Sequence, residues 1–503
     1  MTVHHGSSVA SSRGRVTAVL HGAGRMVATV LAVIAVVVPG YWFVRVSTVQ
    51  HPQQVSVRSA TLPADVRAMA AAFPSYRDTV PVINYHDISG RGGRYTITPA
   101  EFTRHMAALE AAGFETVSLA DVYAVVTGEA VDLPDKPLLI TFDDGPSSNW
   151  RVADPVLQRY GFTAVAFIVT GAIGDEARPS YYLSWDQLRS MKESGRWEIG
   201  AHTHVGHRSV DVGGGQSGPW LTNLVHEGGR SEGLSDWRRR VSRDLTHNKE
   251  LLSAEVGAPA VEAFAYPFSA AGSSTNHEQL PDLVRSVVAA HFDLAFAGQE
   301  ETPWAASKHS DRRRLPRLSM RHDVDAGDLL EKLRRATPAA PSGDLHELRL
   351  QSSAGKCVVR NRARLVVRGD AYVRCVPAIN PDAWKDYTLT ATVQDAGSNN
   401  TALLAVRNIG EERVEVAYGE DRAVVRQQRP DGWRELGTMT YEMPPDGELE
   451  TRVRVDRHAL RVDVEGVERS WVLDDMPRAG GVTFGKASQG PERMRFAKVS
   501  ITE

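Results

Sequence analysis

Asp143 and Asp144 stand side by side at the end of the apolar run PLLITF and are followed at once by Gly145 and Pro146. Adjacent like charges repel and Asp is a poor strand former, so the pair is either a plain turn or a site. Three more polar clusters follow apolar runs: His86 after VINY, His202 to His207 after WEIGA, and Tyr266 to Phe268 after EAFA. Each alone reads as readily as a turn, a structural histidine or core packing. Together they offer one carboxylate and two imidazoles, a set that binds Zn²⁺ or a similar divalent ion and leaves a position for water. A second carboxylate beside them can take the proton of that water as it attacks a carbonyl. The chemistry is then metal-assisted hydrolysis. A cation would relieve the Asp–Asp repulsion, and neighbouring strand residues point to opposite faces, so the two aspartates need not compete for one position.

The elements that must position these clusters are strands. VPVINY, PLLITF, TAVAFIVT, WEIGAHT, VEAFAYPF, DLAFAG and LPRLSM read as strands, interleaved with the helices PAEFTRHMAALEAAGF, RVADPVLQRYG, SWDQLRSMKESG, SDWRRRVSRDLTHNKELLSAEVG and LPDLVRSVVAAHF. Pro99 and Gly113 bound the first helix, Gly161 closes the second and Ser184 caps the third. Alternation of this kind implies parallel strands with helices outside. Seven or eight strands in about 260 residues favour a distorted (β/α) barrel over a doubly wound sheet. In either fold the active site gathers at the C-terminal strand ends, where all four clusters fall.

These residues resemble the polysaccharide deacetylases of carbohydrate esterase family 4, the NodB-homology domain, over roughly residues 80–330, within a domain expected at 80–336. TFDDGP at 141–146 is similar to the family's first motif and implies Asp143 as catalytic base and Asp144 as metal ligand. HTHVGH implies His202 and His207 as the two metal histidines, with His204 between them. The third motif carries an arginine before Pro-aromatic; here AYPF puts Ala265 at that place, so any task of that arginine falls to another residue or is lost. Tyr266, Pro267 and Phe268 would line the groove, with the Tyr266 N–H aiding an oxyanion. PVINYHDIS, HTHVGH and GGGQSGPWLTN resemble the branch that de-N-acetylates poly-β-1,6-N-acetylglucosamine, which implies His86 as general acid, with His322 in LSMRHD as the alternative. The implied cofactor is a divalent metal, Zn²⁺ first and Co²⁺, Ni²⁺, Mn²⁺ or Fe²⁺ after it. The expected reaction releases acetate from an extracellular polysaccharide of N-acetylglucosamine. A peptidoglycan or chitooligosaccharide deacetylase, and a non-catalytic glycan-binding or adhesion protein, are the alternatives.

The rest of the chain frames this domain. Residues 1–64 hold no Asp or Glu, and Arg13, Arg15 and Arg25 precede the uncharged run at 26–44, which ends in Tyr41, Trp42 and Phe43. The run is long enough to span a bilayer, with the arginines keeping residues 1–25 cytoplasmic; a cleaved signal peptide is the competing reading. Residues 45–79 read as a stalk. The expected location is the cell membrane, single-pass, with the catalytic domain outside. A formal net charge of −3 offers no basis for a nucleic-acid partner. TPAAPSG begins a linker at 337–344, and 345–503 reads as all-β, a sandwich or jelly roll of short alternating strands. WKDYTLTATV and RMRFAKVSIT resemble concanavalin-like modules, in which Trp384, Trp433 and Trp471 are either core or a sugar platform. Cys357 and Cys375 are the two cysteines, and an oxidising compartment implies a disulfide.

Overall fold

The protein is described by a computed structural model over residues 54–503, except 77, 91, 175–179, 300–304, 339–344, 353, 378–379, 382, 410–411, 430–431, 474–475 and 489–492. Seven parallel strands form a closed barrel: β1 (Val82–Tyr85), β2 (Pro137–Phe142), β3 (Ala164–Ile168), β4 (Trp197–Ala201), β5 (Ala263–Ala265), β6 (Leu294–Gln299) and β7 (Leu315–Ser319). They pair in chain order, and β1 completes the ring by bonding both β7 and β2, with Ile83 opposite Leu318 and Ile140.

The two-residue period of a strand decides which side chains enter the barrel. Along β2, Leu138, Ile140 and Phe142 pack outward against the helices, whereas Leu139 belongs to the inner core with Val82, Val165, Phe167, Phe296 and Leu315. Thr141 and Asp143 continue the inward phase of Leu139. The same count puts Asn84 on the inner face of β1, Arg317 on that of β7 and His202 just past the end of β4. The lower barrel is thus apolar and its C-terminal layer polar.

The helices follow their sequence signals. Thr98 caps the helix Pro99–Ala111, and Ser184 with Gln187 forms a capping box on Trp185–Glu193, satisfying amide donors that a helix start leaves free. The long amphipathic pattern becomes Leu234–Val256. Two corrections concern extent. The expected strand VEAFAYPF stops at Ala265, because Phe268 adopts φ 56 and the chain turns away. From residue 55 onward the expected stalk carries a helix, Ala64–Ala71, whose Val66 and Ala70 are buried in the barrel's outer core with Leu62, Phe73 and Tyr76. The apolar spacing 62, 66, 70, 73 makes one helical face; Pro63 stands at the helix start rather than breaking it.

Beyond residue 345 two seven-stranded antiparallel sheets enclose a second core, as a sandwich should. Cys357 and Cys375 form a disulfide between a strand of one sheet and a strand of the other. Trp384 is fully buried and Trp471 packs against the core, but Trp433 is exposed. Among the described residues no helix is long and apolar enough to cross a membrane; residues 1–25, the expected anchor at 26–44 and most of the linker at 337–344 lie outside them.

Candidate active site

At the mouth of the barrel the two aspartates diverge. Asp143 follows β2 and still bonds like a strand residue, its N–H donating to the Tyr85 carbonyl at 3.0 Å. Asp144 takes φ 71 and Gly145 φ 75. Asp tolerates this left-handed turn better than most residues, and at Gly145 a Cβ would also stand 3.1 Å from Ile168 Cδ1. The turn swings Asp144 out of the inward phase that holds Asp143.

Asp143 is gripped from within. Arg317, fully buried, donates from Nη1 and Nη2 to its two oxygens, each at 2.7 Å. Asn84 Nδ2 adds a bond to Oδ2 at 3.0 Å, while Asn84 Oδ1 accepts from Arg317 and from Thr141 Oγ1 at 3.1 Å each. Burial pushes the Asp143 carboxyl up, but Arg317, His202 and His86 outweigh it and hold the group well below the usual carboxylate range. Ala265 offers no guanidinium; Arg317 brings one to Asp143 from β7, which lies on the other side of β1 from β2. The sequence contained one sign of it: an arginine in the inward phase of an apolar strand needs a buried anion.

Asp144 meets two imidazoles. His202 Nε2 lies 3.3 Å and His207 Nε2 3.2 Å from Asp144 Oδ1. His202 Nδ1 stands 2.7 Å from the Ala265 carbonyl, which can only accept, so Nδ1 carries the hydrogen and a neutral ring turns its Nε2 lone pair toward the carboxylate. Lone pairs aimed at an anion need a proton or a cation between them. Among the described residues this is the one cluster of three groups whose ligand atoms lie within 4.8 Å of one another, and its donor set suits a divalent ion. Without a cation, burial lowers His202 but Asp144 and Asp143 raise it overall, whereas burial and His202 together lower His207.

His86 Nε2 stands 3.9 Å from Asp143 Oδ2, with its ring stacked on Tyr95 at 5.0 Å. Burial lowers its affinity for a proton, with Asp143 and Asp144 opposing. His322 is exposed and faces the Arg94 carbonyl at 3.2 Å. Of the AYPF residues, Phe268 is 51% exposed and its ring packs at a tilt against His207, centroids 4.6 Å apart. Tyr266 and Pro267 are buried, and Tyr266 packs on Phe264. The Tyr266 N–H donates to the Phe296 carbonyl at 2.9 Å, so the sheet takes the hydrogen bond expected for an oxyanion. Tyr181, 54% exposed, joins Phe268 at the rim; its hydroxyl is pushed up to about 12 by burial and by Asp87 and Asp144.

The loop 202–207 is held from behind. Asp244 accepts from the His204 and Val205 amides at 2.8 Å each, and Asn248 donates to the Ile168 and Thr203 carbonyls. Both lie on the helix Leu234–Val256, four residues apart and so on one face. His204 turns away from Asp144 to Thr170 Oγ1 and the His247 ring.

The sequence profile of the polysaccharide deacetylases matches residues 130–282. YxkH of Bacillus subtilis is 32% identical over 25% of this chain and 42% of its own. Poly-β-1,6-N-acetyl-D-glucosamine N-deacetylases are each 25% identical: that of Escherichia coli O157:H7 over 42% of this chain and 33% of its own, that of Staphylococcus epidermidis over 46% and 70%. The chain therefore spans less than half the length of the first two relatives. The matched segment holds Asp143, Asp144, His202 and His207, while His86 and Arg317 reach the same mouth from outside it. Through residues 130–282 the chain carries a domain of the polysaccharide deacetylase family.

Proposed function

We propose that this chain removes N-acetyl groups from an N-acetylglucosamine polysaccharide, a poly-β-1,6-linked one first, and releases acetate. One observation carries the reading: an arginine-held carboxylate, Asp143, stands beside a separate carboxylate–imidazole cluster at one barrel mouth. Asp144, His202 and His207 would hold a divalent cation, Zn²⁺ by their donor types, which supplies Lewis acidity toward the acetamide oxygen and acidifies a water. Asp143 accepts a proton from the attacking water; Arg317 keeps it ionised and Asn84 fixes its orientation. His86 protonates the nitrogen as the C–N bond breaks, so that a free amine leaves and acetate remains. It is favoured over His322 because its Nε2 alone of the two faces Asp143. Phe268 and Tyr181 offer apolar faces to the sugar rings.

The similarity to named poly-β-1,6-N-acetylglucosamine deacetylases supports this polymer over peptidoglycan or chitooligosaccharides. The inter-sheet disulfide supports export beyond a membrane segment at 26–44. Acetate release from β-1,6- and β-1,4-linked N-acetylglucosamine oligomers tests the reading, with Zn²⁺, Co²⁺ or Ni²⁺ added. Preference for the β-1,6 oligomer is expected. Preference for the β-1,4 oligomer transfers the assignment to the chitin or peptidoglycan class, and no acetate with any metal leaves only glycan binding.

A further inference from the structure

In the sandwich, one sheet carries a second cluster built as if to hold a ligand. Antiparallel partners share a face, so the register identifies it. Phe484, Leu404, Val416 and Val425 lie in one row and are buried between the sheets. The next row, Thr483, Ala405, Glu415 and Arg426, must therefore point out of the sandwich. Arg413, Gln428 and Trp433 form a parallel row on the same outer face.

This outer face is not an ordinary solvated one. Glu415 is 1% exposed although it points outward. It accepts from Arg426 Nε at 2.9 Å and from the Tyr372 hydroxyl at 3.1 Å. Tyr372 reaches it across two intervening strands, which the small Gly485 and Ala405 on that face permit. Trp433 lies over Arg426 and Arg413, whose guanidinium carbons stand 4.3 and 4.9 Å from a ring centroid. Even so it remains 43% exposed, and Tyr372 38%.

We infer that this face binds a saccharide chain, one ring stacking on the exposed Trp433 and neighbouring hydroxyls of the chain meeting the accessible Arg426 guanidinium and Tyr372 hydroxyl. A sugar ring has an apolar C–H face and an edge of paired hydroxyls; an exposed indole beside fixed planar donors and acceptors complements both. The site stands apart from the barrel mouth and does not depend on the barrel's activity.

Affinity electrophoresis of the full chain tests it, using the Asp143→Asn form so that turnover does not change the ligand. The gels contain poly-β-1,6-N-acetylglucosamine, soluble glycol chitin or xylan, with single-stranded DNA as a control. At least one polysaccharide should retard the chain, Trp433→Ala should weaken this tenfold or more, and Trp433→Phe should restore most of it. Trp433 is surface-exposed, so its replacement spares the core; Glu415→Gln should weaken binding in the same direction. Equal retardation of the Trp433→Ala form, no retardation by any polysaccharide, or stronger retardation by DNA overturns the inference. Acetate release by the unaltered chain, measured separately, reports on the barrel alone, so either reading can fail without the other.

Discussion

Two buried carboxylates in the barrel domain are each gripped by an arginine through both oxygens, yet they have different surroundings. Asp154, fully buried at the start of a helix, accepts from Arg196 Nε and Nη2 at 3.0 and 2.9 Å and from Trp197 Nε1 at 2.9 Å. Those three bonds tie the helix to the start of β4. Asp143 has an arginine and an amide in the same roles, but His86 stands 3.9 Å away and Asp144 follows in a left-handed turn. Around Asp143 buried polar atoms also stay unpartnered: His86 Nδ1, Asp144 Oδ1 and Arg317 Nε. The ion pair itself does not mark function. What marks it is polar capacity left over, which a sealed structural pair would not tolerate.

The sharpest way to break this contrast is to neutralise each carboxylate. Asp143→Asn should lower acetate release by about 10²–10⁴-fold, the usual worth of a general base, with bound metal per chain unchanged. Asp154→Asn should cost stability and leave the turnover of folded protein unchanged. If Asp143→Asn kept more than a tenth of the activity, the base assignment would be lost. Next in size is the acid. His86→Ala should reduce turnover about 10²-fold, whereas His322→Ala, on an exposed residue facing the Arg94 carbonyl, should change it less than twofold. The reverse pattern would move the acid to His322.

The two arginines come next. Removing Arg317 strips the main compensation from a buried carboxylate, a loss of about 3–5 kcal/mol, and leaves only His202 and His86 to oppose the upward push of burial on Asp143. Arg317→Met should therefore slow turnover at pH 7 by about 10–100-fold, the range for groups that orient a catalytic shell. It should also shift the acid limb of the rate profile to higher pH. Arg196→Met should lower stability without moving that limb. The linkage has a definite sign. Asp143 is depressed in the fold, so the stability it contributes is present above the unfolded carboxylate value of about 3.9 and is lost as pH falls toward the native value. Loss of Arg317 should flatten that slope in urea titrations between pH 5 and 3.

Legibility in the sequence follows the same division. The strand–helix alternation, the barrel and the sandwich could be read because period and turn chemistry are local. The metal cluster was readable too, since TFDDGP and HTHVGH each lie within six residues. Arg317 was not, because its partner is 174 residues away and only the closure of β1 onto β7 and β2 brings them together. Asp244 and Asn248 were hidden for a similar reason: in a charged amphipathic helix, nothing local distinguishes a carboxylate holding a loop from one facing water. Tyr266 misled because an aromatic beside Phe268 reads the same whether it faces a groove or the core. The φ of 56 at Phe268, which separates them, is a property of the folded turn.

The smallest expected effect on turnover extends the comparison to imidazoles. His105 is as buried as His202 but sealed: Nε2 faces the Val324 carbonyl at 3.0 Å and must donate, so Nδ1 accepts from the Tyr85 hydroxyl at 3.0 Å. Both nitrogens are satisfied in the neutral ring. Burial, against the pull of Glu101, lowers its value to about 4. The unfolded chain protonates this residue near pH 6.5, so the neutral ring's stabilising share is complete above that value. As pH falls from about 6.5 to 4, only the unfolded state gains the proton, and the fold loses on the order of 3 kcal/mol. His105→Gln should remove that pH dependence from unfolding free energies measured at pH 5 and 7, while turnover at pH 7 stays within twofold. An unchanged dependence in the variant would mean that acid sensitivity in this range arises from the imidazoles at the barrel mouth, where the groups are open and coupled to the site.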